Sequence, residues 1–205
     1  MTNEKHDFSY QREPPVHRRS DDRITSVYRP VLIEMDEFAA FCLVRNLSSG
    51  GMMGSVYAQF VERQEVSVQF HPDHIVSGAI IWSKDGRVGI QFNHKIDVSE
   101  TIRQLADKCL GKKINRSPRL QIECAGELEF DGRSIAMRLR DISQRGIKVE
   151  VALIKPEDEV IVHLEGLEPH KALVRWTQRG LAGLNFVRPI SFEQLATWVI
   201  GQQSH

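Results

Sequence analysis

Cysteine is scarce in this chain. Cys42, Cys109 and Cys124 are odd in number, far apart and never form a C-x-x-C pair, which excludes a disulfide framework and a thiolate zinc site. Three inert thiols in a reducing compartment are expected instead. Net charge is lacking too: lysine and arginine total 27, and aspartate and glutamate total 27. No global positive field exists to hold a nucleic-acid backbone through counterion release, so neither DNA nor RNA is an expected partner. An anionic ligand has to be met by a local cluster. Long apolar runs are missing as well. The longest charge-free stretch, residues 46–61, is rich in glycine and serine and shorter than the ~20 apolar residues of a membrane helix, so no membrane insertion is expected. The first twenty residues carry charges with no apolar segment behind them, which is unlike a secretory signal. A cytoplasmic location is the expectation.

What is present is an ordinary globular composition, 41% hydrophobic and 26% charged over 205 residues, long enough for two domains of about 100 residues each. Residues 1–30 are polar, hold Pro14, Pro15 and Pro30, and show neither helical nor strand periodicity. They read as a mobile arm. From Val31 the chain breaks into short β-rich runs at 31–35, 38–45, 65–70, 76–82 and 87–92, cut by turn sequences such as SSGG, HPD and KDG. Runs of this kind predict an antiparallel barrel or sandwich. A helix follows, with Asp97 and Glu100 at N-cap and N3 and Val98, Ile102, Leu105 and Cys109 at helical spacing.

The pattern then repeats. Trp82, Gly86, Gly89 and Phe92 recur 94 residues later as Trp176, Gly180, Gly183 and Phe186, and Ser48 and Gly51 recur 95 residues later as Ser143 and Gly146. A second helix signal closes the second copy, with Ser191 and Gln194 as a capping box and Phe192, Leu195, Ala196 and Val199 on one face. The chain is therefore one β-domain-plus-helix unit written twice, with a boundary near 111–115. Trp82 and Trp176, at equivalent places on β runs, are expected in the cores rather than as stacking platforms.

Two segments carry the chemistry. Asn46, Ser48 and Gly51 lie in NLSSGG directly after a strand, where an amide, a hydroxyl and a backbone without Cβ face one ligand, and amide and hydroxyl groups suit the edge of a base. Arg18, Arg19 and Arg23 stand within six residues in the arm, and guanidinium groups bind phosphates bidentately and stack on purine faces. Arg19-Ser-Asp-Asp-Arg23 resembles the RxxxR motif, and Asn46 to Gly51 the D/NxSxxG motif, of the bacterial PilZ domain that binds cyclic di-GMP. Trp82, Gly89 and Phe92 are similar to its last strands. The resemblance covers residues 16–110 well and 113–201 more loosely.

It implies two six-stranded antiparallel β-barrels, each followed by a C-terminal helix: an arm over 1–15, a ligand-binding domain over 16–111 and a degenerate second domain over 112–205. It also implies a second-messenger receptor without catalysis, acting in processes such as motility or biofilm formation through an unidentified protein partner. Arg19 and Arg23 would take the phosphates and guanine faces, Asn46 and Ser48 a guanine edge, and Gly51 would let the main chain approach. Arg18 would hold a second ligand molecule in an intercalated dimer. In the second copy Asp141, Ser143 and Gly146 keep the DxSxxG residues, but Asn115 stands where the first arginine belongs and Pro118 stiffens the segment. That motif is read as structural. The alternative to a receptor is an interaction module that keeps the fold and works without nucleotide. His71 and His74 flank a turn without a third ligand, so no metal is expected, and no nucleophile-and-base spacing points to an enzyme.

Overall fold

The computed structural model describes residues 24–36, 38–106 and 117–203. The arm expected over residues 1–30 is described only from Ile24, and there it is a strand rather than an arm: residues 24–30 are held by backbone pairing with β2, which needs no apolar periodicity. Its three arginines, the boundary at 111–115 and Cys109 lie outside the described residues. Two closed antiparallel barrels of six strands each make up the fold, as the repeat and the family resemblance imply. The first comprises β1 (Ile24–Met35), β2 (Phe38–Ser48), β3 (Gly51–Ser55), β4 (Glu65–His71), β5 (His74–Lys84) and β6 (Arg87–Phe92), closed in the order β1-β2-β3-β6-β5-β4, and is followed by α1 (Val98–Ala106). The second comprises β7 (Leu120–Phe130), β8 (Arg133–Ser143), β9 (Gly146–Glu150), β10 (Glu159–Leu164), β11 (His170–Gln178) and β12 (Leu181–Phe186), with the same circular order, then α2 (Phe192–Gln203).

Strand alternation builds each core. In β4, Val66, Val68 and Phe70 turn inward while Glu65, Ser67 and Gln69 do not, the period-2 pattern of a half-buried strand. The hairpins turn at Asp85–Gly86, Asp131–Gly132 and Arg179–Gly180, where both central residues have positive φ, the backbone that matches the twist of paired strands. The strand β3, too short and glycine-rich to stand out in the sequence, completes the first barrel. It pairs with β2 on one side and β6 on the other.

Barrel closure rests on the turn between β2 and β3. Its Gly50 and Ser49 carbonyls accept the Phe92 and Ile96 amides at 2.9 Å each, and the Ser48 hydroxyl donates to the Gly51 carbonyl at 3.1 Å. A Cβ on Gly51 would stand 2.4 Å from the Ile90 carbonyl oxygen. The second barrel repeats each contact: Arg145 and Gln144 carbonyls accept the Phe186 and Ile190 amides, Ser143 donates to the Gly146 carbonyl at 3.0 Å, and a Cβ on Gly146 would meet the Leu184 carbonyl at 2.1 Å.

Both helices begin at the caps that the sequence marks. Asp97 accepts the Glu100 amide at 2.9 Å, and Ser191 the Gln194 amide at 3.2 Å. Val98 of α1 packs into the first core. The apolar face of α2, with Leu195, Ala196, Trp198 and Val199 buried, joins the second core together with Leu32 and Phe41 of the first barrel. Phe192 sets its ring 6.5 Å from that of Phe41 and 6.2 Å from that of Tyr57. β2 pairs with β3 only from Leu43 onward, and at Ala39 the Gln203 side chain serves as the missing partner. It accepts the Ala39 amide at 2.9 Å and donates to the Ala39 carbonyl at 2.8 Å. This helix therefore joins the two barrels.

Two glycine substitutions should act with opposite signs. Gly146→Ala forces a methyl against a fixed carbonyl and should lower unfolding free energy by about 1–3 kcal/mol. Gly201→Ala, in α2 with open space around its Cβ position, should raise it by up to about 1 kcal/mol. Urea denaturation of both variants measures the difference.

Candidate functional site

β-Bulges set the outer wall of each barrel. In β2 the register with β3 shifts between Val44 and Asn46, and in β5 the register with β6 shifts between Ile80 and Trp82. The second barrel has the same breaks between Leu139 and Asp141 and between Val174 and Trp176. A bulge re-aims the side chains beside it, and here the bulges bring the start of each D/NxSxxG segment and each tryptophan to one side of the barrel.

In the first barrel Asn46 is exposed and its amide makes no hydrogen bond among the described residues. Ser48 and Gly51 are half-buried and already engaged in the turn that closes the barrel. β1 enters beside them, since Ile24 pairs with Leu47 and Thr25 with Asn46. Arg18, Arg19 and Arg23 lie outside the described residues. Two neighbours escape a motif-based reading. Arg45, the bulge residue, donates from Nε to the Ser55 hydroxyl at 2.9 Å and lies 4.6 Å from the centre of the exposed Tyr28 ring, a cation–π contact on the same wall. Arginine next to the motif's first residue and an aromatic in the facing strand were the available signals.

The second barrel carries a cleft of about 370 Å³ at the matching place. Asp141 lies at its base, its side chain only 5% exposed, paired with Arg119 at 2.5 Å and Lys148 at 3.0 Å. Arg145, Arg175 and Trp176 line it as well. Arg119 immediately precedes β7, whose first residue, Leu120, pairs with Ile142. In the sequence it answers to Arg23, the residue before Ile24. The other cations have no counterpart: by the repeat, Arg145, Lys148 and Arg175 answer to Gly50, Met53 and Ile81.

The tryptophans depart from expectation. Trp176 is 42% exposed, and Trp82 is half-buried. Three indole atoms of Trp176 lie 2.1–2.8 Å from where a Gly183 Cβ would be, and those of Trp82 lie 2.2–2.8 Å from the Gly89 position. Each ring rests on a glycine of the neighbouring strand, outside the barrel, because the missing side chain leaves a flat seat there. The buried indole is that of Trp198, which donates to the Glu165 carbonyl at 2.7 Å.

Other reactive groups are placed away from these walls. Burial pushes the Cys42 thiol well above its ordinary range, against a weaker opposing pull from the Arg45 charge, and burial also raises the half-buried Cys124. Thiols held protonated in this way are poor nucleophiles. His71 accepts the Asp73 amide at 3.3 Å within its turn. Among the described residues no three histidine, cysteine, aspartate or glutamate side chains converge to hold a metal.

The geometry and the sequence agree on one family. The model of the PilZ domain matches residues 17–111 and again 114–201. The chain is a tandem PilZ protein. Among solved structures it is similar to PlzA of Borreliella burgdorferi in complex with c-di-GMP (12% identity, 89% of this chain and 94% of that one, TM-score 0.42). It is also similar to the motility inhibitor MotI/DgrA of Bacillus subtilis (16%, 87% and 97%, TM-score 0.34) and to YcgR of Escherichia coli in complex with c-di-GMP (9%, 86% and 84%, TM-score 0.35). No curated protein matches the sequence.

In both PilZ domains the serine and glycine of D/NxSxxG are accounted for by barrel closure, and the motif's first residue separates the copies. Asp141→Ala leaves two cations without their buried partner and should cost about 1–3 kcal/mol of stability. Asn46→Ala, at an exposed position, should stay within about 0.5 kcal/mol. Chemical denaturation of the two variants tests the contrast.

Proposed function

We propose that this PilZ protein is a cytoplasmic receptor for cyclic di-GMP whose ligand is bound by the first domain. The division into an arm over 1–15, a binding domain over 16–111 and a second domain over 112–205 belongs to the same reading. The ligand has two phosphate charges and two flat bases. Arg19 and Arg23 supply bidentate partners and planar cations for them; the Asn46 amide and the free lone pairs of the Ser48 oxygen face a guanine edge. Gly51, closed against the Ile90 carbonyl, fixes the turn on which these groups stand. The protein binds and does no chemistry on its ligand.

The observation that carries this reading is the meeting of β1 with the motif strand. Ile24, which follows Arg23 in the sequence, pairs with Leu47, between Asn46 and Ser48. The second domain supports it by example, because Arg119 at the corresponding place contacts Asp141. The exposed Asn46 amide then provides specificity that a basic arm alone lacks. Closure of the arm over the wall would change the surface offered to a protein partner, and that change is the proposed output.

Calorimetric titration of the full chain with cyclic di-GMP is the test. Arg23→Ala should lose on the order of 2–4 kcal/mol, about thirtyfold to several hundredfold in affinity, by stranding a phosphate charge. Asn46→Ala should lose about 0.5–1.5 kcal/mol. Binding by Arg23→Ala equal to the parent's would remove the arm from the site. Arg18 adds a further planar cation for a second, intercalated ligand molecule. The parent should bind two ligands per chain and Arg18→Leu one, whereas one ligand for both proteins would refute the paired arrangement.

A further inference from the structure

The cleft on the second barrel is not explained by the degenerate motif. Its serine and glycine close the barrel, and its aspartate pairs with both Arg119 and Lys148, offsetting one of their two charges. Yet the wall carries more cationic charge than that carboxylate can balance. Arg145 makes no ion pair among the described residues. Arg175, the extra residue of the β11 bulge, meets only the Glu157 carboxylate at 3.6 Å, on a side chain that is 73% exposed. Lys148 is itself one-third exposed and reaches the cleft from β9. Beside them the Trp176 ring lies with one face on Gly183 and remains 42% exposed.

We propose that this cleft is a second ligand site, for a phosphate monoester attached to a single planar ring, of the class of a purine nucleoside monophosphate. Three features select that chemistry. Four cations against one buried carboxylate and one rim carboxylate leave about two positive charges, which matches the charge of roughly −1.5 to −2 on a phosphate monoester near neutral pH. One indole face offers one stacking surface, worth a base but not two. The cleft, about 370 Å³, stands at the small end of the roughly 300–1,000 Å³ of ligand pockets. Arg145 fills a variable position of the D/NxSxxG segment, Lys148 and Arg175 lie outside both motifs, and the first barrel has glycine, methionine and isoleucine in their places. The two barrels therefore answer to different ligands, and this site stands or falls independently of the one assigned to the first domain.

Indole N–H signals of the full chain in heteronuclear NMR report the site directly. Three are expected, from Trp82, Trp176 and Trp198, and Trp176→Phe assigns the one concerned. Addition of GMP should move the Trp176 signal with a midpoint below about 1 mM, and guanosine, which lacks the phosphate, should not. Inorganic phosphate should act more weakly than GMP because it forgoes the stack. In Arg145→Ala/Arg175→Ala, both at exposed positions, the GMP midpoint should rise at least tenfold while the Trp82 and Trp198 signals attest an intact fold. A Trp176 signal indifferent to GMP at about 10 mM, an equal response to guanosine, or an unchanged midpoint in the double variant would overturn the proposal. So would a Trp176 response to cyclic di-GMP with none to GMP, which would make the cleft a dinucleotide site. Calorimetry with cyclic di-GMP and Arg23→Ala reads the first domain separately.

Discussion

Everything on the outer wall of each barrel depends on one close approach, that of the motif glycine to the carbonyl of the last strand. Gly51 lies against Ile90 and Gly146 against Leu184 so tightly that no Cβ fits between them. This contact brings the five-residue strands β3 and β9 into register with β6 and β12 and closes both sheets. The same turns then accept the amides that lead from the last strand toward the helix. A closed barrel has no free edge, and its turns and bulges stay fixed while the side chains on them vary.

That fixed frame explains why a motif known for binding persists where binding of the same ligand is not expected. Serine and glycine are required by the fold in both copies, so their presence alone says nothing of a ligand. The informative positions are the ones that the frame leaves free: the motif's first residue, the turn residue Gly50 or Arg145, Met53 or Lys148 on the short strand, and the bulge residue Ile81 or Arg175. In the first barrel these are neutral, and Arg45 beside the motif carries a positive charge. The second barrel builds its cations into the wall and holds two of them on a buried carboxylate. Gln203 and Phe192 of α2 tie the two units together at Ala39, Phe41 and Tyr57, which gives a physical route by which one barrel's state reaches the other.

Much of this was legible in the residues. The repeat of Trp82 to Phe92 as Trp176 to Phe186 is a repeat of strand, bulge, hairpin turn and strand, and the capping residues Asp97 and Ser191 mark the helices because each must satisfy free amides. What escaped the sequence is what depends on contacts far apart along the chain. The seat of Trp176 on Gly183 needs the β11–β12 register, and β-aromatic residues otherwise suggest a core. The cleft needs Arg119, Lys148 and Arg175 from three separated strands or their flanks, a grouping that no local spacing announces. Trp198, buried through a hydrogen bond to the Glu165 carbonyl, is likewise a tertiary result. The exposed Asn46 and the paired Asp141 differ by one atom type in the sequence, and only their surroundings separate them.

The central claim is that the first domain, through the arm and the Asn46 strand, is where the dinucleotide binds. Amide hydrogen exchange on the full chain with and without cyclic di-GMP addresses it directly, because each domain reports on its own peptides. The account predicts slower exchange over residues 16–25 and 45–51 with ligand, and no change over 140–147. Protection confined to 140–147, or no protection in either motif at saturating ligand, would contradict it.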